Sequence, residues 1–168
     1  MKKKAAFFDR DGVLNVDKAY LYKIEEFEWV TGAREAIRYL KNLGYLVIVV
    51  TNQSGVARGY YTEQDVSALH DYMQNELYKM GASVDAFYYC PHLPDGTVAE
   101  YATECMCRKP NPGMVIQAVQ EWGIDPTKSF IIGDKQRDLN AGASAGVTKG
   151  FLYSSGDLLE FVKKIIKL

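Results

Sequence analysis

Short apolar runs alternate along the whole chain with segments whose apolar residues recur at helical spacing, a pattern that restricts the fold to a parallel sheet covered by helices. The runs at 5–8, 45–50, 86–89, 130–132 and 150–153 are too short for helices and read as strands buried on both faces. Between the first two, Ala33, Ala36, Ile37, Leu40 and Leu43 make one helical stripe that stops at Gly44. A second stripe, Val66, Leu69, Met73, Leu77 and Met80, starts at the capping pair Thr62 and Asp65 and ends at Gly81. Pro112 opens a third, with Met114, Val115, Ala118, Val119 and Trp122 inward and Gly123 as its stop. A short helix at 138–145 and an amphipathic one carrying Leu158, Leu159, Val162, Ile165 and Ile166 complete the series. Right-handed βαβ connections then give an α/β fold, a Rossmann-like doubly wound parallel sheet with helices on both faces.

The 168 residues predict a single domain, 1–168, able to bury about two-thirds of the surface its unfolded chain exposes. A net charge of -1 with dispersed Lys and Arg argues against a nucleic-acid partner. Lys2 to Lys4 read as a solvated tail, and the four apolar residues after them are too few for a secretory leader. No run approaches the ~18 apolar residues of a membrane span. A soluble, cytoplasmic protein without a membrane partner is expected, and a monomer for want of a recognisable assembly segment.

In a sheet of this kind ligands bind beyond the carboxyl ends of the strands. Asp9-Arg10-Asp11-Gly12 follows the first strand, Thr51 the second, and Asp134 the fourth, while Lys109 lies just before the third helix. Singly, each has an ordinary role: Asp and Gly form turns, Thr caps helices, Lys sits on surfaces. Together, two carboxylates, a hydroxyl, an ammonium and a further carboxylate on one crevice match phosphoryl transfer, which is catalysed by positioning and charge neutralisation. Two like charges about 4 Å apart repel by roughly 4 kcal/mol at an effective dielectric near 20, so a carboxylate attacks a phosphate only beside a cation. Mg²⁺, with its preference for oxygen ligands, is the cation expected.

Cys90 and His92, then Cys105 and Cys107, place all three cysteines and one of the two histidines at the ends of one loop, about 90–107. Three thiolates and an imidazole fill a tetrahedral Zn²⁺ shell with no open position, which makes the site structural. Such a metal would order a loop poor in apolar residues and fix Arg108 and Lys109 directly after it. His70, on the second helix, reads as an ordinary surface or packing residue.

The segments Asp9-Arg10-Asp11-Gly12, Thr51-Asn52, Lys109-Pro110 and Gly133-Asp134 with Asp138 resemble the four motifs of the haloacid dehalogenase-like phosphatases, over nearly the whole chain. The resemblance implies that Asp9 attacks phosphorus to give an aspartyl-phosphate and that Asp11 protonates the leaving oxygen and later deprotonates water. It implies that Thr51 and Lys109 hold the phosphoryl oxygens. Mg²⁺ would take Asp9, the Asp11 backbone carbonyl and Asp134, with Asp138 behind them. Crowding among the carboxylates is expected to keep Asp11 protonated when the ester breaks. No long insertion follows the first or second strand, so no large cap domain is expected.

The zinc loop narrows the resemblance to the heptose-bisphosphate and histidinol-phosphate phosphatases. Asn52-Gln53-Ser54-Gly55-Val56-Ala57-Arg58-Gly59, the run from Cys105 to Met114, and Gly133-Asp134-Lys135 are similar to the D-glycero-D-manno-heptose-1,7-bisphosphate 7-phosphatase family. That likeness implies a sugar bisphosphate substrate lined by Asp17 to Tyr20, Thr51, Asn52, Gln53, Ser54, Arg108, Lys109 and Lys135. It also implies a place in nucleotide-activated heptose synthesis for lipopolysaccharide. A second phosphate needs its own cation, and a guanidinium suits it; Arg108 is implied, with Arg58 able to do the same. Tyr20, Tyr22, Tyr60 and Tyr61 are candidate sugar-facing walls. Two other readings stay open: a histidinol-phosphate phosphatase of histidine biosynthesis, and a phosphoaccepting receiver-like signalling domain. The preferred anomer of the sugar 1-phosphate is not readable.

Overall fold

A computed structural model describes residues 1–168. Its strands are β1 (Ala5–Phe8), β2 (Leu46–Asn52), β3 (Ala86–Cys90), β4 (Phe130–Gly133) and β5 (Lys149–Leu152). The helices are α1 (Ala33–Asn42), α2 (Glu63–Tyr78), α3 (Gly113–Trp122), α4 (Gln136–Ser144) and α5 (Leu158–Ile166). All strand pairs are parallel, in the order β3-β2-β1-β4-β5. The expected doubly wound sheet is therefore present, and its winding reverses at β1, which lies in the middle.

Side-chain alternation along the strands divides the core into two layers. Ala6 and Phe8, with Val47, Val49, Phe130 and Ile132, pack on the apolar stripes of α1, α2 and α5. Ala5 and Phe7, with Ile48, Val50 and Ile131, pack on Met114, Val115 and Ala118 of α3. Both faces of β1 are thus sealed, which is why it reads as an unbroken apolar run. The edge strand β3 departs from that reading, being half-buried up to Tyr89.

The helix limits follow the expected stops closely. Thr62 caps α2 in a reciprocal box, its Oγ1 accepting from Asp65 N at 3.2 Å while its own N donates to Asp65 Oδ2 at 2.9 Å. Gly123 ends α3 in the left-handed region at φ 61°. Several boundaries move. Thr51 and Asn52, read as a turn, continue β2 because they pair with Tyr89 and Cys90. The fourth helix starts at Gln136, two residues earlier than expected, since Asp138 Oδ2 accepts from Lys135 N at 3.1 Å and draws the first turn closed. Lys3 is no free tail: its N donates to the Gly123 carbonyl at 2.9 Å and its carbonyl accepts from Asp125 N at 2.7 Å.

Between β1 and α1 the chain holds only a 3-10 turn, Ile24–Glu26, and folds back through bonds from Val16 N to the Glu28 carbonyl and from Val30 N to the Leu14 carbonyl, both 2.9 Å. The segment between β2 and α2 is shorter still, so the cleft beyond β1 is bordered by loops. No helix is long and apolar enough to cross a membrane.

Phe8 is fully buried in the larger core layer, on the central strand. Phe8→Ala is expected to cost about 3–5 kcal/mol of unfolding free energy, read as a shift of the urea midpoint. A loss below ~1 kcal/mol would mean that β1 is not the packed centre described.

Candidate active site

The ladder carries Asp9 one step past the end of β1, its N donating to the Ile132 carbonyl at 3.1 Å, and delivers a buried carboxylate to the switch point of the sheet. Asp9 Oδ1 accepts from Arg10 N at 2.8 Å and from Lys109 Nζ at 3.0 Å. The same ammonium donates to the Val50 carbonyl at 2.7 Å and pairs with Asp138 Oδ1 at 2.6 Å. Asn52 holds the Lys109 peptide from both sides: its Oδ1 accepts from Lys109 N at 2.9 Å and its Nδ2 donates to the Lys109 carbonyl at 3.1 Å. Asp134, just past β4, completes a triad with Asp9 and Asp138 whose oxygens lie within 4.8 Å of one another. Gly12 makes room for it. At φ +88°, with the Asp134 carboxylate where a Cβ would stand, no other residue fits.

Three carboxylates around one ammonium leave excess negative charge in a dry place. Burial pushes the Asp9 carboxyl up, the Lys109 charge pulls it down, and Asp138 and Asp11 push it up again, with about 7 as the result. Lys109 moves upward: burial opposes its charge, but Asp9 and Asp138 outweigh that and keep it an ammonium. Hard oxygen donors with surplus negative charge suit a Mg²⁺ ion, and the open side of Asp9 and Asp134 faces the cleft. Asp138 is fully buried, its oxygens engaged by Lys109 and Lys135 N, which places it behind the other two.

Asp11 differs from expectation. Burial pushes its carboxyl up, but the Arg10 charge and hydrogen bonds from Asn15, Arg10 and Gln53 outweigh burial, and the net shift is downward. Arg10 Nη2 donates to Oδ1 at 3.0 Å and Oδ2 at 3.2 Å, Asn15 Nδ2 to Oδ1 at 2.9 Å, and Gln53 Nε2 to Oδ2 at 3.0 Å. Carboxylate crowding therefore falls on Asp9, while Asp11 rests as an anion among donors.

A cavity of about 340 Å³ opens in front of these groups. Asp17, Tyr20, Asn52, Gln53, Ser54, Arg108 and Lys135, all expected on it, line it with Asp9, Asp11 and Asp134. Thr51 and Lys109 do not; both are buried behind Asp9 and Asp11, Thr51 Oγ1 accepting from Gln53 Nε2 at 2.9 Å. Gln53 is itself buried, its Oε1 accepting from Tyr61 OH at 2.6 Å and its amide directed to Asp11 and Thr51. Of the candidate walls, Tyr20 and Tyr61 reach the cavity, Tyr22 stacks behind Tyr61 at 5.4 Å, and Tyr60 meets the edge of Tyr20 at 5.0 Å. Tyr20 and Ala19 have φ of 61° and 54°, a costly pair of left-handed residues at the cavity mouth.

Four cations face this cavity, Arg58, Arg108, Lys135 and Arg137, and none is ion-paired. Arg58 lies 5.3 Å over the Tyr20 ring, and Arg108 Nη1 reaches the His92 carbonyl at 3.5 Å. Arg137 is missed by sequence reasoning, although its place one helical turn from Asp134 was a usable signal. Arg10 and His70 are missed as well. His70 is a buried packing residue whose Nε2 lies 3.2 Å from Arg10 Nη1. Arg10 stands inside the first motif and could have been singled out there; nothing in the sequence marks His70.

The cysteine loop closes as expected. Cys90 Sγ lies 2.9 Å from Cys107 Sγ and 3.5 Å from both Cys105 Sγ and His92 Nδ1, while Cys107 Sγ is 3.4 Å from Cys105 Sγ and His92 Nδ1. A Zn²⁺ tetrahedron with ~2.3 Å bonds to sulfur has edges of about 3.8 Å, so this is a slightly contracted ligand cage, and the three cysteines are free. The Cys107 thiol is drawn down to about 5, chiefly by its hydrogen-bond contact with Cys90, against burial. Arg108 N donates to Cys105 Sγ at 3.3 Å, and Gly113 N donates to the Met106 carbonyl at 2.7 Å, tying the cage to Lys109 and α3.

The HAD-hydrolase-like family model matches residues 106–158. The D-glycero-beta-D-manno-heptose-1,7-bisphosphate 7-phosphatase of Pasteurella multocida is 46% identical over 154 residues, 92% of this chain and 83% of that protein. The chain belongs to the HAD-like heptose-bisphosphate phosphatase family. A second member, the D-glycero-alpha-D-manno-heptose-1,7-bisphosphate 7-phosphatase of Photorhabdus laumondii, is 44% identical over 155 residues, 92% of this chain and 85% of that protein. The crystal structure of D,D-heptose 1,7-bisphosphate phosphatase from B. bronchiseptica, complexed with magnesium and phosphate, superposes with a TM-score of 0.81 at 32% identity, covering 98% of both chains.

Burial and the neighbouring carboxylates raise Asp9 to about 7 even beside Lys109, so a Mg²⁺ ion taken by Asp9 would have to displace a proton. Affinity for Mg²⁺ in this heptose-bisphosphate phosphatase family member is expected to rise between about pH 6 and about pH 8, then level off. Asp9→Asn should remove the pH dependence. Calorimetric titration checks it, and binding independent of pH in the unaltered protein would contradict the assignment.

Proposed function

We propose that the protein is a Mg²⁺-dependent phosphomonoesterase that removes the 7-phosphate of D-glycero-D-manno-heptose 1,7-bisphosphate through an aspartyl-phosphate on Asp9. The observation that carries this reading is the meeting of Asp9, Asp134, Asp138 and Lys109 at the switch point, in a chain 46% identical to a heptose-bisphosphate 7-phosphatase.

Asp9 Oδ attacks phosphorus in line with the sugar oxygen and the phosphorus–oxygen ester bond breaks; Asp11, an anion in the resting site, takes up a proton from solvent when the anionic substrate enters and hands that proton to the departing alkoxide. Asp11, now ionised, takes a proton from water as that water attacks the aspartyl-phosphate, which frees Asp9 and inorganic phosphate. The donors around Asp11 suit the second step, in which an anion is needed. Asp9, the Asp11 backbone carbonyl and Asp134 would hold the Mg²⁺ ion, which would supply positive charge to the phosphoryl oxygens. Lys109 keeps Asp9 and Asp138 from repelling each other and adds a second positive charge behind the nucleophile. Thr51 Oγ1 accepts from Gln53 Nε2 and donates to the Asn52 carbonyl across 3.5 Å, a weak bond that it would give up to donate to a phosphoryl oxygen.

A phosphate left at the far end of the sugar would find the unpaired guanidinium of Arg108, with Arg58 and Arg137 on the same cavity. This favours a bisphosphate over histidinol phosphate, whose remote end is an amine. The 44–46% identity to relatives named for opposite anomers leaves the anomer to experiment. Phosphate release with Mg²⁺ should be fastest on one heptose bisphosphate anomer, slower on simple monophosphates and slowest on histidinol phosphate; equal rates on all of them would sink the assignment. Asp9→Asn should show no turnover and no phosphoenzyme, while Asp11→Asn accumulates some phosphoenzyme that breaks down slowly. A receiver domain would instead keep its phosphate and turn over none of these esters.

The Cys90, His92, Cys105 and Cys107 cage is proposed to hold one structural Zn²⁺, whose task is to keep Arg108 and Lys109 in place. Metal analysis should give about one zinc per chain, and a chelator should open the 90–107 loop to protease before the sheet unfolds. Absence of zinc together with full activity would end this part of the reading.

A further inference from the structure

Arg10 lies between the two carboxylates of the first motif, yet it does not line the cavity and is only 1% exposed. A buried guanidinium needs acceptors, and the ones it has form a chain. Nη2 donates to both oxygens of Asp11 and to the Leu21 carbonyl at 3.2 Å, and Nη1 points at His70 Nε2 at 3.2 Å. Arginine has no acceptor atom, so His70 Nε2 must accept, which fixes a neutral imidazole with its proton on Nδ1. Burial, then the Arg10 charge, push the His70 ring down to about 3 and so preserve that neutral form. The ring is clamped against Phe87 of β3, with centroids 4.4 Å apart and planes at 15°, and is edge-on to Tyr89. A rigid path thus runs from the β3 edge through His70 and Arg10 to Asp11.

We propose that His70 and Arg10 are positioning residues for the reaction, His70 holding the far end of Arg10 so that Arg10 fixes the rotation of the Asp11 carboxylate toward the cavity. This rests on the reading of Asp11 as proton donor and acceptor. Asp11 is the one reacting group whose two oxygens are both met by side-chain donors: Arg10 and Asn15 on Oδ1, Arg10 and Gln53 on Oδ2. A long arginine stem fixes a carboxylate only if its own head is tied. Leu21 ties one nitrogen and His70 the other, so loss of the His70 acceptor leaves a buried N–H unpaired and the guanidinium free to turn.

His70→Phe keeps the stacked ring and removes the acceptor, and His70→Gln returns an acceptor at similar reach. With heptose bisphosphate, His70→Phe is expected to lower kcat about tenfold with KM changed less than about twofold, a part of the ~10²–10⁴ that a positioned proton donor contributes. His70→Gln should recover most of that loss. Phosphoenzyme formation from an aryl phosphate, whose phenolate leaves without a proton, should be unaffected, and in an Asp11→Asn background His70→Phe should cost nothing further. Should His70→Phe fail to fold, Arg10→Lys carries the same test, since a single ammonium cannot serve both Asp11 and His70. Unchanged kcat, an equal loss on both kinds of ester, or a loss that persists without the Asp11 carboxylate would overturn the proposal. Full turnover by Asp11→Asn would instead remove the acid–base reading on which it rests, so the two failures are distinguishable.

Discussion

One ammonium group holds the reaction centre together. Lys109 Nζ is nearly sealed from water and touches Asp9, Asp138 and the Val50 carbonyl. A buried carboxylate repels its neighbours strongly at low dielectric, so the triad of Asp9, Asp134 and Asp138 is tolerable only because this charge stands among it. Lys109 gets there through three separate devices: the zinc-type cage that ends at Cys107, the Asn52 amide that grips its peptide, and α3, which starts four residues later. The cage therefore acts at a distance, by deciding where a lysine must be.

The topology supplies the remaining order. With β1 in the middle and the winding reversed on either side of it, β2 brings Thr51 and Asn52 from one flank and β4 brings Asp134 from the other. Loops close the cleft, and side-chain hydrogen bonds tie them: Asp11 to Arg10, Asn15 and Gln53, and Gln53 to Tyr61. The cavity is consequently polar and carries unpaired cations, as recognition of a small ligand with two anionic ends requires. Asp9, Asp11 and Asp134 line the same cavity, where a metal and phosphate would meet them.

Much of this was legible in the chain. The apolar runs and glycine stops placed every strand and helix to within a few residues, because the central strands β2, β1 and β4 are covered on both faces and leave a continuous signal, whereas the edge strands β3 and β5 are only partly buried. That Asp9, Asp11, Thr51, Lys109 and Asp134 converge could be expected because each ends or follows a strand, or precedes a helix, at one edge of the sheet, and the cysteine cluster because it uses every cysteine. The resting charge of Asp11 was not legible. Sequence proximity to Asp9 suggested crowding by carboxylates, but Arg10, Asn15 and Gln53 reach Asp11 first, and only Arg10 is its neighbour in the chain.

The sequence by itself determined the elements, the residues at their ends and the membership of the Cys90, His92, Cys105 and Cys107 cluster, since each depends on local spacing or on residue chemistry. Tertiary structure alone decided that β1 is central, that Asn52 and Gln53 serve Lys109 and Asp11, that Arg137 joins the cavity, and that His70 meets Arg10 across sixty positions of chain. The physical reason is that hydrogen bonds and ion pairs are short-ranged, so which donor meets which acceptor is settled only when packing has brought distant segments to within about 3 Å.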